Sequence, residues 1–384
     1  MQNEQDDWIS GLTDSFGSEF CETLRTLSLN KLQIYPTPKL CGLPFGHEVR
    51  IFSRFLKGQS SLLDPSAFSK VYLFFASARK KKLYRAFILG ESLLKSGWLD
   101  LIGNKDLNLW VEKKLFEETP KGRLSLRFRV ISIGETILVV DPLNQTFTHR
   151  VHIGQDTINM IEFLADQKHI SSRRYLDIGT GSGAILLQLS PQMEEVIGMD
   201  INPRAAHLAR LNVKLNLNHA LIYEHDIFQR GKITGLFDVI TWNMPFMFFP
   251  ESDKDINVDG YGGYMGIELT LRFISELPSL LTKEGESWLQ SSAPILANGV
   301  NLLEDKLLKL AEQLHLDISI FVMGSFWEQT LREFHKSYGI DRFENVFLKI
   351  VHGQGHMQRI PPSIQKRTLD RVRRLLYIRW YHGN

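Results

Sequence analysis

The chain has 384 residues, of which 43% are hydrophobic and 23% charged, with a formal net charge of +2. This excludes a disordered or low-complexity chain and predicts two domains, each able to bury a core. The near-neutral balance excludes a global nucleic-acid footprint, so any such surface must be local. Cys21 and Cys41 are the only cysteines, too few for a disulfide framework or a cysteine-rich zinc site. The acidic start Met1–Asp7 lacks the basic residues and apolar core of a signal peptide, and no apolar run is long enough to span a bilayer. The expectation is a cytoplasmic protein with no membrane partner.

A helical pattern over Phe20–Leu29 gives way to Tyr35-Pro36-Thr37-Pro38, an extended breaker. Val49–Leu56, Ser66–Ser77 and Lys82–Ser96 space their apolar residues by three and four, which predicts helices, with Gly97 as the stop of the third. The run Arg79–Lys82 reads as a solvated face rather than a binding patch. Leu124–Val130 alternates apolar and polar residues, predicting a half-buried strand paired by Thr136–Asp141. Residues 1–150 therefore read as a helical plus small-sheet domain, serving either substrate presentation or as a scaffold. A second domain, 151–384, begins with Val151–Thr157, which is expected to cross near the ligand pocket just before a helix, with Asp156 or Thr157 reading as the N-cap of that helix.

The most informative stretch follows, Tyr175–Leu189. It reads as a buried strand that breaks into a loop carrying Gly179, Gly181 and Gly183 and then opens a helix. Glycines let the backbone turn sharply and leave room for a ligand. The unpaired N–H groups of such a loop favour an acceptor-rich ligand, either a dinucleotide or S-adenosylmethionine. Gly179-x-Gly181-x-x-Ala184 satisfies the permissive dinucleotide fingerprint, so the glycines alone do not separate the two. Asp177, two positions before the first glycine, is a carboxylate for which a dinucleotide has no special need, whereas a cationic amino-acid ligand needs one, or a water held by one, near its ammonium.

The next apolar run, Val196–Met199, ends in Asp200, placed to accept both ribose hydroxyls. Ala220–Tyr223 leads to His225-Asp226-Ile227-Phe228, an acid beside apolar side chains that suit an adenine ring. Phe237–Trp242 ends in Asn243-Met244-Pro245-Phe246. Four successive strand ends thus carry polar groups to the carboxyl edge of a parallel sheet, where open α/β folds bind ligands.

Residues 248–266 show no helical or strand period, and a loop of that length beside a site is usually a lid or substrate platform. Leu269–Leu281 predicts a helix, Glu286–Ser292 a fifth strand, Leu302–Leu314 an amphipathic helix, and Asp317–Met323 with Val346–Val351 a closing antiparallel hairpin. The basic segment Lys366–Trp380 either contacts phosphates, with RNA as the partner, or packs its apolar stripe on the domain. The histidines show no paired ligand spacing, so no metal is expected, and no Gly-x-Ser-x-Gly elbow is present.

Asp177–Gly183, Asp200, Asp226 and Asn243–Phe246 resemble the successive motifs of class I S-adenosylmethionine-dependent methyltransferases. The last tetrapeptide resembles the Asn-Pro-Pro-Tyr/Phe signature of amine N-methyltransferases, with Met244 where the signature has its first proline. Asp200–Ala205 and Ala209–Asn212 resemble the small methyltransferase domain. That group includes HemK-type release-factor glutamine methyltransferases and ribosomal RNA guanine methyltransferases. Gly262–Gly266 is similar to a glycine segment of the HemK type.

The resemblance, over residues 150–290, implies an α/β fold with a seven-stranded Rossmann-like sheet, mostly parallel, its last hairpin antiparallel. It implies S-adenosylmethionine held by Asp177, Gly179, Thr180, Gly181, Gly183, Asp200, Ile201, Asp226, Ile227 and Asn243. It also implies catalysis by Asn243, Met244, Pro245 and Phe246. In that arrangement the Asn243 side-chain oxygen and the Met244 carbonyl hold the acceptor N–H groups while Phe246 lies against a planar substrate. The methyl acceptor stays open between a protein amide, a nucleobase and a small molecule. A catalytically altered binding protein is the non-enzymatic alternative.

Overall fold

The computed structural model describes residues 8–9, 12, 14–32, 76–142, 149–165, 167, 172–229, 234–253, 259–326 and 331–360. The expectations for Tyr35–Pro38, Val49–Leu56, most of Ser66–Ser77 and Lys366–Trp380 fall outside them.

The amino-terminal part starts with α1 (Asp14–Thr26). A short helix α2 (Ala78–Leu83) follows, its N-cap Ser77 accepting from the Lys80 N–H. It runs into a π-turn at Tyr84–Ile88, and Gly90, at φ 71°, breaks the direction of the chain. The next helix, α3 (Lys95–Glu112), begins after extended Leu94, so Gly97 lies in its first turn. The helix expected over Lys82–Ser96 with a stop at Gly97 is therefore replaced by two helices that meet across Gly90. The second was hidden because α3 kinks at Gly103 (φ 78°), shifting the phase between buried Trp98, Leu101 and Ile102 and buried Leu107 and Trp110.

The alternating run also divides. β1 (Phe116–Glu118) pairs antiparallel with β2 (Leu124–Leu126), whereas β3 (Arg129–Ile133) pairs with β4 (Thr136–Val140). The chain turns between them because the Arg127 N–H and guanidinium donate to the Leu115 and Phe116 carbonyls.

The large sheet has the order β12-β10-β11-β9-β8-β5-β6-β7. Its parallel part comprises β5 (Ser172–Ile178), β6 (Met193–Asp200), β7 (Leu221–Glu224), β8 (Phe237–Asn243) and β9 (Leu281–Leu296). β11 (Ile340–His352) runs antiparallel to β9 and to β10 (Leu316–Phe326), as the hairpin expectation required. The count is eight rather than seven, because β12 (Met357–Ile360) adds to the outer edge of β10 in parallel. Its sequence, Met357-Gln358-Arg359-Ile360, carries no apolar alternation. It is held by the backbone ladder and by Arg359, which bonds the carboxylates of Glu304 and Glu344.

Alternation along the central strands feeds two layers. Leu176, Ile178, Ile240 and Trp242 join one core with residues of α7 (Glu268–Glu276) and α8 (Leu302–Leu314). Tyr175, Val196 and Val239 join another with α4 (Gln155–Ala165), α5 (Ala184–Leu189) and α6 (Pro203–Leu215). Ile131, Ile133, Leu138 and Val140 of the β3–β4 hairpin belong to this second core. A third cluster, with Phe20, Trp98, Trp110 and Phe128, includes Leu208, Leu211 and Leu215 of α6.

One helix thus anchors the amino-terminal elements to the sheet, and two asparagines on it act as a substitute strand. The Asn212 side chain accepts from the Val139 N–H at 2.8 Å and donates to the Val139 carbonyl at 3.0 Å. Asn216, one turn on, does the same with Ile137 at 2.8 and 2.7 Å. Asn212 is fully buried and also donates to the Ser182 carbonyl at 2.8 Å, tying the hairpin to the glycine loop. At the start of α6 the Arg204 guanidinium pairs with buried Asp141 at 2.6 Å.

Stranding a buried backbone group costs about 1–3 kcal/mol, and Asn212→Ala strands three. Urea unfolding of this variant is expected to show a loss of at least about 2 kcal/mol. An unchanged midpoint would remove Asn212 as the strap.

Candidate active site

The parallel register sets the site. Ile178 is level with Met199 on one side and with Trp242 on the other. The next residues, Gly179, Asp200 and Asn243, therefore emerge side by side at the carboxyl edge. Gly179, Gly181 and Gly183 all have positive φ (57°, 56° and 81°), which glycine adopts without a Cβ penalty. At Gly179 a Cβ would also lie 2.9 Å from the Trp242 ring nitrogen.

The loop is held by its neighbours. The Thr180 N–H donates to the Met199 carbonyl at 2.9 Å, and the Gly181 N–H donates to Asp200 Oδ2 at 2.8 Å. The Asn202 N–H donates to Asp200 Oδ1 at 2.9 Å. A carboxylate offers about four acceptor positions, so Asp200 retains two for a ligand. Burial pushes its carboxyl above the ordinary value.

These elements surround a cavity of about 440 Å³, within the usual size range for a small-molecule site. Gly179, Thr180, Gly181, Asp200, Ile201, Asp226, Ile227, Asn243 and Pro245 lie on its wall, with Phe228 and Arg272. The Arg272 guanidinium sits 3.7 Å over the Phe228 ring. Asp226 Oδ1 accepts from the Phe228 N–H at 3.0 Å, fixing the turn that carries Ile227. His152 shares the wall, and burial lowers its pKa.

Asp177, Gly183, Met244 and Phe246 are not on that wall. Asp177 is 1% exposed. Its two oxygens accept from Thr180 Oγ1 at 2.7 Å and Thr241 Oγ1 at 2.6 Å, and Thr241 also meets the Tyr175 hydroxyl at 2.7 Å. It stands beneath the loop as a brace, and burial pushes its pKa up to about 7. Gly183 packs against Ala209 of α6. The Met244 side chain is buried, its sulfur accepting from the Thr270 hydroxyl at 3.3 Å. The Phe246 carbonyl accepts from Ser292 at 2.8 Å.

Asn243 has a more specific environment than its sequence context shows. Its Nδ2 donates to Asp156 Oδ2 at 2.7 Å and to Thr157 Oγ1 at 3.2 Å. Its Oδ1 is buried and has no hydrogen-bond partner among the described residues. Asp156 and Thr157, read from sequence as helix caps, are thus brought to the strand end. Two more residues carry the turn. A Cβ at Gly262 would lie 2.8 Å from the Phe246 Cα, and one at Gly266 2.6 Å from the Phe246 carbonyl oxygen. Both glycines let residues 260–267 press against the Asn243–Phe246 turn. The Met247–Tyr261 bridge and the Met247 N–H to Gly260 carbonyl bond hold them there. Their signal in the sequence was the glycine segment itself.

The sheet order, the glycine loop and the acid at the second strand end define a class, the S-adenosylmethionine-dependent methyltransferases. Residues 147–298 match the family model described as the methyltransferase small domain, and that segment of the chain is one. The chain is 37% identical over 138 residues to a putative protein N5-glutamine methyltransferase of Methanocaldococcus jannaschii, covering 34% of this chain and 66% of that one. It is 27% identical over 220 residues to the release factor glutamine methyltransferase of Lactococcus lactis, covering 52% and 76%. The solved M. jannaschii TYW2 in complex with AdoMet aligns at 14% identity with a TM-score of 0.39, over 59% of this chain and 87% of that one.

The residues present fit S-adenosylmethionine. A loop with glycine at positions 179 and 181, an acid with two free acceptor positions, and apolar Ile201, Ile227 and Phe228 share one cavity of suitable size. No cluster of three or more metal-ligating side chains occurs among the described residues. No described helix is long and apolar enough to cross a membrane.

Two outcomes follow. Asp200→Ala removes the two remaining carboxylate acceptor positions and the anchor of the Gly181 N–H together. Calorimetric affinity for S-adenosylhomocysteine should fall at least about tenfold, or ~1.4 kcal/mol, and the apo melting temperature should fall as well. Undiminished affinity would show that Asp200 does not hold the ligand. For Asp177, the unfolded chain releases its proton near pH 4, while the folded chain holds it to about pH 7. Between those values the folded state binds more protons, so this group makes stability decline as pH rises. Asp177→Asn should flatten that decline in urea midpoints measured from about pH 4 to 7; an equally steep decline would show that the titration belongs to another group.

Proposed function

We propose that this chain transfers the methyl group of S-adenosylmethionine to the side-chain nitrogen of a glutamine in a protein acceptor. The observation that carries the reading is Asn243, a residue of the cavity wall whose side-chain oxygen is buried without a hydrogen-bond partner among the described residues and whose N–H groups are already taken. Buried polar groups are normally paired, so this atom is suited to an N–H brought in by substrate. The names of the two relatives, both glutamine methyltransferases, support an amide over a nucleobase or a small molecule.

An amide nitrogen is a poor nucleophile because its lone pair is delocalised into the carbonyl. When bound, S-adenosylmethionine supplies the electrophilic methyl. The chain's own part is orientation. Asn243 Oδ1 accepts one N–H of the incoming amide and turns its nitrogen to a fixed direction. Pro245 bounds the same wall, and the Gly262–Gly266 segment backs the turn so that the acceptor cannot drift. Positioning of this kind contributes up to roughly 7–11 kcal/mol in the best intramolecular systems. The Met244 side chain, where the family signature has proline, fills the core behind the turn and leaves the wall to its neighbours. In this reading residues 151–384 are the catalytic unit, residues 1–150 present the substrate, and the protein works in the cytoplasm.

The test is methylation by the purified chain with methyl-labelled cofactor, offered a peptide-chain release factor and total RNA in parallel. Label is expected in the release factor and not in RNA. Asn243→Ala should lower kcat at least about tenfold, one hydrogen bond's worth, with S-adenosylhomocysteine affinity nearly unchanged. Label confined to RNA, or an Asn243→Ala enzyme as fast as the parent, would overturn the reading.

A further inference from the structure

An asparagine amide presents its oxygen or its NH2 group to a site depending on a half-turn of one bond, and an N-methyltransferase reading of Asn243 works only with the oxygen inward. The structure contains a device that decides this. Asp156 Oδ2 lies 2.7 Å from Asn243 Nδ2, with Thr157 Oγ1 behind it at 3.2 Å. A carboxylate only accepts hydrogen bonds. The reversed amide would set two acceptor oxygens at that distance, so the NH2 group must face Asp156 and the oxygen must face away. A hydrogen bond to a carboxylate also polarises the amide, making its oxygen a better acceptor.

The position of Asp156 is itself prepared. A Cβ on Gly154 would lie 2.1 Å from Asp156 Oδ1, so the carboxylate occupies space that only a glycine leaves free. Gly154 is not among the glycines with positive φ, so its backbone does not require glycine; the carboxylate does.

We propose that Asp156 is the positioning residue that locks the Asn243 amide with its oxygen toward the substrate nitrogen, and that Gly154 is the gap that admits it. This rests on the amide-methylation reading for its purpose, though the lock can be observed without turnover.

The experiment is 15N-resolved NMR of the side-chain amides of the full chain, with the Asn243 pair identified by its absence in Asn243→Ala. In the parent the proton bonded to Asp156 should be shifted downfield of a free side-chain amide, and the pair should be slow to exchange. The downfield shift and the slow exchange should be lost in Asp156→Ala and in Gly154→Ala, and largely kept in Asp156→Asn, which still offers an acceptor oxygen. With release factor as methyl acceptor, Asp156→Ala should lower kcat at least about tenfold while KM and S-adenosylhomocysteine affinity stay within about twofold. In an Asn243→Ala background the same substitution should cost nothing further, because both act through one atom. An Asn243 pair unchanged in Asp156→Ala, or a loss that multiplies with that of Asn243→Ala, would overturn the proposal. Loss of the lock in a chain that never methylates the release factor would instead overturn the amide reading and leave the lock standing.

Discussion

The hydrogen bond from the Gly181 N–H to the Asp200 carboxylate closes the glycine loop onto the neighbouring strand, and the site is assembled around that closure. Three left-handed glycines carry the backbone away from β5 and return it as α5. They leave N–H groups that need an acceptor, and Asp200 supplies one without using up its capacity. Because β5 lies between β6 and β8 in matched parallel register, one turn of chain brings the loop, the acid and Asn243 together. A slip in either pairing would separate them.

Beneath this edge the fold buries polar groups in quantity and satisfies those under the loop locally. Tyr175, Thr241, Asp177 and Thr180 form one hydrogen-bonded chain under the loop. Asn212 and Asn216 satisfy the open edge of β4, and Asn212 reaches the loop as well. Unpaired burial of such groups is costly, so these networks fix the loop's shape before any ligand arrives. Against that background the unpartnered oxygen of Asn243 stands out by its place. It belongs to a residue of the cavity wall, at the strand end next to the loop, whose NH2 group is held by a carboxylate.

Much of this was legible from sequence because it is local and periodic. The seven expected strands, the glycine loop and the acids at successive strand ends follow from alternation and from residue types that have one use at such places. What sequence did not show depends on distance or on phase. Asp177 looked like a ligand contact, yet it is a brace, because two hydroxyls on separate elements, Thr180 and Thr241, close over its oxygens. Asp156 and Thr157 looked like caps; their partner lies 86 or 87 positions away. Helix α3 lost its period at the Gly103 kink, and β12 has no period to read, being an edge strand held by its ladder and by Arg359.

The central claim is that Asn243 Oδ1 receives an N–H of the acceptor amide at the edge of the cofactor cavity. Its most direct test is a crystal structure with S-adenosylhomocysteine and a glutamine-bearing peptide from a release factor. The account predicts the glutamine nitrogen within about 2.7–3.2 Å of Asn243 Oδ1, with Asp156 still bonded to the asparagine's NH2 group. A glutamine bound away from Asn243, or an Asn243 oxygen paired with the protein itself, would contradict it.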